Sequence, residues 1–573
     1  MKMKKHISLL LALVMIAMLL AGCGTQPADN TAQPSSTNAQ TTDTPNSQTN
    51  DDTETSNHIE VLRIGGTYKN DRFTAWSSPG LMGQTNYHSF VQLNLWRVDA
   101  NGELTGDGCF FKKWDISEDN TSLVLQFDPL GKLMFHDDTP VTMEDVLFTI
   151  NYYKDRNSAP FQSITSIEED SDTSIKLTFS KPIAFGFMHS ALLNYRILAK
   201  HIWEDVETPS AYNEPDAAIG CGPYKLVSID EDAQISYYEA VKDYPIGTQT
   251  IDRVELKSYD SHAAILMALQ NDEVDVLYCY SAPVDTTLLP TFESNTNIDR
   301  GESMDKATYQ LIFGFETYPT NDINFRKAVS YALDYNLISQ TISGEHGGAA
   351  STGAASPAQL GYINTLPKNA QDTAKAIEYL DNGGYIDVDG DGFRELPDGS
   401  PMNVSILIYH FPPDNVPKYK RLAEIMQITL AEIGVRVTPD EQSMAGNSDY
   451  ILDTIRNNRY DMWIGSTTFL TATWGGIANY VGDIQDLSGQ YFGTCKDPVY
   501  LEAYTRLLTS TNYDDYKKAF ADLQVLNAEM TTAIVLDETK AFYPYRNDKI
   551  IGWENYPGVG VINTDTWYNA VMK

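Results

Sequence analysis

The pattern of apolar and polar positions predicts β-strands in the first part of the chain. Residues Glu60 to Gly65 (EVLRIG) alternate apolar and polar side chains and end in a glycine. Leu123, Leu125 and Phe127 alternate with polar neighbours in the same way. A period of two residues is typical of a strand, so we expect a strand at each place, half-buried at the second.

The segment FHDDTPVTMEDVLFTI, residues 135–150, predicts a turn followed by a helix. Pro140 ends the preceding segment. Thr142 is suited to cap the helix, and Asp145, three residues later, can close a capping box. His136 lies between Phe135 and Asp137, and we interpret it as a turn residue rather than as a catalytic base.

A glycine-rich turn, Gly220-Cys221-Gly222-Pro223, leads into a strand that begins with Tyr224. The glycines allow a close approach of the backbone to another group, and the proline fixes the exit of the turn. The turn lacks the G-K-[ST] ending of a phosphate-binding loop.

The second half of the chain alternates helices and strands. Apolar spacing and end signals predict helices over residues 324–335, 372–380, 420–433 and 450–457, and strands over residues 435–438 and 462–465. Such alternation predicts an α/β lobe with a largely parallel sheet. A helical repeat array is excluded because no fixed period recurs.

The N-terminus has the pattern of an export signal. Lys2, Lys4 and Lys5 precede an apolar run over residues 7–20, which is too short to span a bilayer comfortably. The following Leu-Ala-Gly-Cys, ending at Cys23, resembles the lipobox of bacterial lipoproteins. The resemblance implies cleavage after Gly22 and a lipid on Cys23; the alternative is an ordinary cleaved signal with a chance cysteine.

Residues 24–57 consist almost wholly of Thr, Ser, Gln, Asn, Asp, Pro and Ala. Without apolar surface to bury, such a segment is expected to be a flexible tether. Its coil dimension would be roughly 30 to 35 Å, enough to lift a folded body clear of a membrane. A glycosylated or non-functional spacer is the alternative.

Composition limits the possible functions. A chain of 573 residues is expected to form two or three domains, and 42% hydrophobic residues suffice for large cores. The net charge of -36 would become -39 without the three signal lysines. So acidic a surface repels nucleic acid, and no basic run offers an exception.

Four cysteines remain after Cys23, namely Cys109, Cys221, Cys279 and Cys495. An exported protein can form disulfides, and four cysteines allow three pairings, between which the sequence does not choose. A domain of this size does not need such cross-links, so the disulfide state stays open.

One acidic loop matches the spacing of an EF-hand calcium loop, with aspartate in place of the usual glutamate at position 12. The oxygens would come from Asp387, Asp389, Asp391, the Phe393 carbonyl and Asp398. A structural calcium ion is one interpretation. The other is an acidic hairpin without metal, since no second helix plainly follows; no other cofactor is expected.

An enzyme is not expected. The nine histidines form no H-E-x-x-H motif, and no G-x-S-x-G nucleophile elbow is present. Scattered carboxylates could pair as in a glycosidase, but 77 acidic residues make this observation weak.

Five segments in order resemble the extracellular solute-binding proteins of family 5, the oligopeptide- and dipeptide-binding lipoproteins of ABC importers. They are the segment ending in FHDDTPVTMEDVLFTI, then GCGPYKL, AILMALQNDEVDV, INFRKAVSYALDYNLI and LAEIMQITLAEIGVRV. The resemblance covers about residue 59 to the C-terminus.

The resemblance implies an α/β, two-lobe periplasmic-binding-protein-like fold (type II, cluster C) with an extra subdomain inserted in the first lobe. Lobe I would comprise residues 58–95, 210–282 and 531–573, with the insertion at 96–209 and lobe II at 283–530. Residues 1–22 would be the lipoprotein signal peptide and 23–57 the tether.

The resemblance also implies a function. An exported, lipid-anchored monomer would hold an oligopeptide-like solute between the lobes, close by a hinge and deliver it to the permease of an ABC transporter. Alternatives are a receptor for signalling peptides and an adhesive surface protein.

The chain departs from the family where a peptide's amino end would be read. After YDMWIG comes STTFLTATW, and the next acidic residue is Asp483. Hydroxyls beside aromatic rings suit an uncharged ligand, such as a sugar or a blocked peptide; alternatively, another carboxylate substitutes. The candidate ligand-binding residues are Trp76, Cys221, Tyr224, Thr467, Thr468, Phe469 and Trp474.

Overall fold

A computed structural model describes the folded part of the chain. The described residues are 58–67, 69–70, 72–74, 76–78, 81–82, 90–156, 161–191, 195–278, 284–305, 307–409, 416–468, 495 and 497–573. Cys23, the lipobox and the predicted tether lie outside them. Within these ranges no helix combines the length and the apolar character needed to cross a bilayer.

A seven-stranded mixed sheet forms the centre of the first lobe. Strand β1 (Ile59–Gly66) confirms the predicted strand and pairs in parallel with β12 and β13, whereas the remaining neighbours pair antiparallel. The order is β10-β11-β12-β1-β13-β20-β14. The other strands are β10 (Tyr224–Asp230), β11 (Ile235–Ala240), β12 (Ile251–Ser258), β13 (Val276–Leu277), β14 (Ile298–Met304) and β20 (Lys540–Arg546).

A four-stranded antiparallel sheet lies within the predicted insertion. Its order is β6-β7-β9-β8, with β6 (Phe111–Ile116), β7 (Ser122–Phe127), β8 (Ile164–Ser171) and β9 (Ser174–Phe179). Strand β7 buries Leu123, Leu125 and Phe127, as the alternation predicts. Helix α1 (Met143–Asp155) begins after Thr142, and Asp145 completes the predicted capping box.

A five-stranded sheet forms the second lobe, in the order β17-β16-β18-β15-β19. Its strands are β15 (Ala307–Phe313), β16 (Val404–Tyr409), β17 (Val437–Pro439), β18 (Met462–Thr468) and β19 (Ala533–Asp537). The prediction of a largely parallel sheet is wrong. Strand β16 pairs in parallel with β17 and β18, but β15 pairs antiparallel with β18 and β19, so only two of the four pairings are parallel.

The remaining elements are short hairpins and helices. The small strands are β2 (Trp76–Ser78), β3 (Leu81–Met82), β4 (Arg97–Val98), β5 (Leu104–Thr105), β21 (Ile550–Ile551) and β22 (Val571–Met572). The helices are α2 (Lys200–Trp203), α3 (His262–Gln270), α4 (Ile323–Ala332), α5 (Tyr335–Ile342), α6 (Thr373–Asn382), α7 (Val416–Ala431), α8 (Glu441–Met444), α9 (Ser448–Arg456), α10 (Pro498–Thr509), α11 (Tyr513–Met530) and α12 (Thr566–Asn569). The single helix predicted over 324–335 is two helices, because the side chain of Asp334 caps a second one.

Hydrophobic cores show which parts belong together. The inserted subdomain shares one core with the first lobe, since Phe111, Val146 and Trp203 pack in the same cluster as Cys221 and Tyr244. The second lobe has two cores of its own on its five-stranded sheet. The inserted subdomain therefore packs as one body with the first lobe.

Two chain segments cross between the lobes. The first runs from Met304 at the end of β14 to Ala307 at the start of β15, and the second from Asp537 to Lys540. The sheets thus change at these segments, whereas the predicted domain boundaries lie at 283 and 531. The domain boundaries themselves stay a prediction.

Candidate functional site

The two crossing segments lie side by side. The backbone N–H of Asp305 in the first donates to the carbonyl of Thr539 in the second, at 2.9 Å. The two crossing segments therefore join the sheets of the two lobes side by side, and the region around them is called the junction below.

A buried carboxylate, Asp537, fixes the second crossing segment. Its oxygens accept hydrogen bonds from the Ser343 hydroxyl at 2.5 Å, the Gly348 N–H at 2.9 Å and the Thr539 hydroxyl at 2.6 Å. The side chain is 1% exposed, and three donors offset the cost of removing the charge from water.

The next residue, Glu538, forms its own ion pair and hydrogen bonds with the second lobe. Its carboxylate is 2.5 Å from the ammonium of Lys368 and accepts from the Tyr362 hydroxyl at 3.1 Å. The Ser351 N–H also donates to it, at 3.1 Å. Adjacent crossing residues are thus both engaged by the second lobe.

An ion pair joins the lobes beside the crossings. Lys418 at the start of α7 lies 3.0 Å from Asp285, which precedes a short 3-10 turn (Thr286–Thr291) packed on the first lobe. Burial acts to raise the pKa of Asp285, but Lys418 and hydrogen bonds from Thr287 outweigh it and lower the pKa. The ammonium of Lys418 also lies 5.7 Å from the ring centroid of Tyr309.

Strand pairing places two of the predicted site residues at this junction. Thr468 pairs with Ala307 and Thr467 with Thr308, at the end of β15 that follows the first crossing. The side chains of both threonines, and the whole of Phe469 and Trp474, lie outside the described residues. Their contact with a ligand stays a prediction.

Three other candidate residues lie in hydrophobic cores of the first lobe and the inserted subdomain. Trp76 is fully buried against Tyr152, Tyr153 and Trp203, with ring centroids 5.6 to 5.9 Å away. A large aromatic ring fills the core of the inserted subdomain here, so the sequence pattern did not distinguish packing from stacking on a ligand.

Cys221 and Tyr224 are likewise core residues. Burial raises the pKa of the Cys221 thiol, and the Cys221 carbonyl accepts from the Tyr244 hydroxyl at 2.8 Å. The Tyr224 hydroxyl donates to the carbonyl of Ile251 at 2.9 Å. Both side chains are fully buried in this structure, and their contact with a ligand stays a prediction.

The glycine-rich turn approaches its own chain rather than a ligand. A Cβ added at Gly222 would lie 2.4 Å from the Phe90 carbonyl oxygen, and one added at Gly220 would lie 2.3 Å from that of Val91. The close approach that the glycines allow is therefore a packing contact within the first lobe.

The cysteines in the described part of the chain are not paired. Cys109, Cys221 and Cys495 are buried and free, and burial raises the pKa of Cys109 to about 12. Cys279 lies outside the described residues.

The acidic loop holds its carboxylates in a different set from the one predicted. Ligand oxygens of Asp387, Asp389 and Glu395 lie within 4.8 Å of one another. The carboxylate of Asp398 instead accepts hydrogen bonds from the N–H and the hydroxyl of Ser400. The carboxylate of Asp391 lies 2.9 Å from the guanidinium of Arg436. Asp398 is not part of this group, because the chain turns back at Glu395, which pairs with Ile386 across a tight hairpin. Calcium binding by either set stays a prediction.

Sequence reasoning missed the polar residues that define the junction. Asp537, Glu538, Asp285 and Lys418 lie in ordinary-looking segments, and no spacing links them. Only Asp285 carries a signal, because it precedes a Thr-Thr pair and caps the turn that follows.

Comparison with known proteins gives the same family. The model of "Bacterial extracellular solute-binding proteins, family 5 Middle" matches residues 109–474, more than half of the chain. A Brucella ovis protein, named as an ABC transporter peptide-binding protein, is 24% identical over 346 residues. The match covers 58% of this chain and 59% of that relative.

Solved structures share the fold across nearly the whole folded chain. The oligopeptide-binding protein AppA from Bacillus subtilis, in complex with a nonapeptide, has a TM-score of 0.68 and 17% identity, covering 89% of this chain and 99% of that one. A periplasmic oligopeptide-binding protein from Thermotoga maritima, bound to mannohexaose, has a TM-score of 0.65 and 19% identity, covering 90% and 99%. With two lobes, an inserted subdomain and a family match over most of its length, this chain belongs to the bacterial extracellular solute-binding proteins of family 5.

Proposed function

We propose that this protein captures an oligopeptide-like solute between its two lobes, outside the cytoplasm, and delivers it to an ABC permease. The observation that carries the proposal is the junction itself. Two separately packed lobes meet at two crossing segments, beside buried polar side chains. This arrangement supports reversible closure around a solute and needs no covalent step.

The charges at the junction support a solute whose amino end is not read by a carboxylate. Asp537 accepts three hydrogen bonds, Glu538 is paired with Lys368, and Asp285 is paired with Lys418. A free ammonium would therefore have to compete with an existing partner at each of these three acids. A peptide with a blocked amino end meets no such competition.

An uncharged oligosaccharide is the second candidate. The same observation favours it, and the Thermotoga maritima relative was solved with mannohexaose. Hydroxyls and aromatic rings in the sequence that ends β18 and follows it (STTFLTATW) would suit sugar rings as well as peptide groups. A receptor for signalling peptides would bind in the same place but would not require a permease; permease and ATPase genes beside its own gene would favour import.

Three probes separate these candidates. Calorimetry on the purified full-length chain would compare a nonapeptide with a free amino end, the same peptide N-acetylated, and mannohexaose. We expect the acetylated peptide to bind at least as tightly as the free one. Binding of the free peptide about tenfold or more tightly would mean that a carboxylate reads the amino end, and binding of mannohexaose alone would favour the second candidate.

We also propose that Cys23 carries a lipid that anchors the protein to the membrane. The support is the Leu-Ala-Gly-Cys sequence after the apolar run. A Cys23→Ala variant is expected to leave the membrane fraction, because the remaining signal is too short for a stable span. Retention of the variant in the membrane would contradict the anchor.

A further inference from the structure

The inserted subdomain touches the second lobe at a place that is not a crossing segment. The backbone N–H of Phe185 donates to the carbonyl of Ser510 at 2.6 Å. The ring centroid of Phe185 lies 5.2 Å from that of Tyr516 and 5.6 Å from that of Tyr513. These second-lobe residues lie in the link between α10 and α11 and in the first turn of α11.

The two sides of this contact belong to different bodies. The inserted subdomain shares its core with the first lobe, and Phe187 and Met188, close to Phe185 in the chain, are part of that core. Phe185 itself packs against a core of the second lobe. If the lobes separate, this contact must break.

Packed residues of the second lobe connect this contact to the second crossing segment. Tyr516 stacks on Phe520, one turn further along α11. A Cβ added at Gly361 would lie 3.2 Å from Phe520, and the neighbouring Tyr362 hydroxyl reaches Glu538 in the second crossing. A short series of packed residues therefore connects Phe185 to the junction.

Neighbouring residues hold Phe185 in place. The ring of His189 stacks on it with centroids 4.0 Å apart and planes 25° apart.

The same two bodies approach each other at a second, smaller place. Gly102 lies on the hairpin between β4 and β5, and a Cβ added there would lie 3.9 Å from Leu360 of the second lobe.

We propose that Phe185 is a latch that holds the inserted subdomain against the second lobe and thereby sets the affinity for the solute. This inference rests on the proposed function. Solute binds to the closed form, so the apparent affinity is reduced by any loss of the closed population. Phe185 is a positioning residue here: it acts through the closure of the lobes and not through contact with the solute.

Hydrogen–deuterium exchange on the full-length chain without added solute tests the latch. In a Phe185→Ala variant we expect amide exchange to become about tenfold faster both in residues 183–191 and in residues 508–520, because the rings of Tyr513 and Tyr516 lose their cover. A purely local effect would change the first segment only, and that result would overturn the proposal.

A second variant covers the case in which Phe185→Ala folds poorly. Tyr513 is 41% exposed, so Tyr513→Ala should leave the folding of the second lobe intact while removing one of the latch rings. It should speed exchange in residues 183–191 on the opposite side, and unchanged exchange there overturns the latch. Ile116→Ala, also 41% exposed in the inserted subdomain, is the matched control and should change neither segment.

Binding of the N-acetylated nonapeptide completes the test. Phe185→Ala should weaken it about tenfold while Ile116→Ala leaves it unchanged. Faster exchange with unchanged affinity would overturn the role of the latch in binding. If the wild-type chain binds no probe, the proposed function fails, whereas the exchange experiment still decides whether the latch exists.

Discussion

The imidazole Nε2 of His136 lies 3.0 Å from the carbonyl oxygen of Gly222, while the Gly220 N–H points at Nδ1 of the same ring at 3.4 Å. Two of the turns that carry the family resemblance, FHDD and GCGP, are therefore joined by hydrogen bonds of the His136 ring. A neutral ring with the proton on Nε2 satisfies both contacts. His136 is a structural residue, as expected from its position in a turn.

Burial of the His136 ring makes the stability of the folded chain depend on pH. Burial lowers the pKa of His136 from 6.5 to about 4 despite the hydrogen bond to Gly222. In the unfolded chain His136 is therefore protonated below about pH 6.5, whereas in the folded chain it stays neutral down to about pH 4. The stabilisation of the folded state by neutral His136 is complete above pH 6.5 and is lost as the pH falls from 6.5 to about 4.

Urea unfolding at pH 7.5 and pH 4.5 would measure the effect. We expect His136→Gln to reduce the loss of unfolding free energy between the two pH values by about 1 to 2 kcal/mol, allowing for partial exposure of the ring. Burial also lowers the pKa of His189 to about 4, so part of the loss of unfolding free energy at low pH should remain in the His136→Gln variant. An equal loss in the variant and the wild type would contradict the role given to His136.

A methyl group at Gly222 should destabilise the first lobe. The added Cβ would meet the Phe90 carbonyl oxygen at 2.4 Å, and backbone cannot move aside cheaply. We expect Gly222→Ala to lower the unfolding free energy by about 3 kcal/mol. Gly131→Ala is the control, since no atom lies within 4 Å of its Cβ, and equal melting temperatures for the two variants would refute the prediction.

Replacing Asp537 by asparagine should weaken the crossing. The amide NH₂ cannot accept from Ser343 or Thr539, so a buried donor loses its partner. We expect a loss of about 2 kcal/mol in unfolding free energy, measured by urea denaturation. Asp232→Asn, at an exposed turn, should be neutral; a neutral Asp537→Asn would mean that the cluster does not hold the crossing.

The calcium hypothesis now has a revised ligand set. If the acidic loop binds Ca²⁺, saturation at a hundredfold excess over Kd should stabilise the protein by about 2.7 kcal/mol, seen as a higher melting temperature. Glu395→Gln should abolish the shift, and Asp398→Asn should not, because Asp398 faces Ser400. If titration with calcium released no heat and left the melting temperature unchanged, the calcium site would be excluded.

The predicted ligand-binding residues at the end of β18 and beyond it can be tested directly. The pairing of Thr468 with Ala307 places it at the junction, so Thr468→Val and Trp474→Ala should each weaken binding of the N-acetylated nonapeptide at least about tenfold. Trp76→Phe should leave affinity within about twofold, since Trp76 lies in the core of the inserted subdomain. Unchanged affinity in the first two variants would refute their placement.

Local features were readable from the sequence because they depend on neighbours in the chain. Alternation defined β1 and β7, and a Thr-x-x-Asp spacing defined the start of α1, since these signals act over two to four residues. The role of the aromatic candidates could not be read from the sequence, because a ring beside a turn serves a core as well as a cleft, and only long-range packing separates the two. Trp76 and Tyr224 are examples.

The family, the α/β class and the capped or alternating elements could be inferred from the sequence, because they depend on residue order and short spacings. Long-range contacts were needed to show that β14 joins the seven-stranded sheet and β19 the five-stranded sheet, that Glu395 lies with Asp387 and Asp389, and that Phe185 contacts Ser510. Phe185 and Ser510 are far apart in the chain, and no local pattern encodes which surfaces come together when two lobes close.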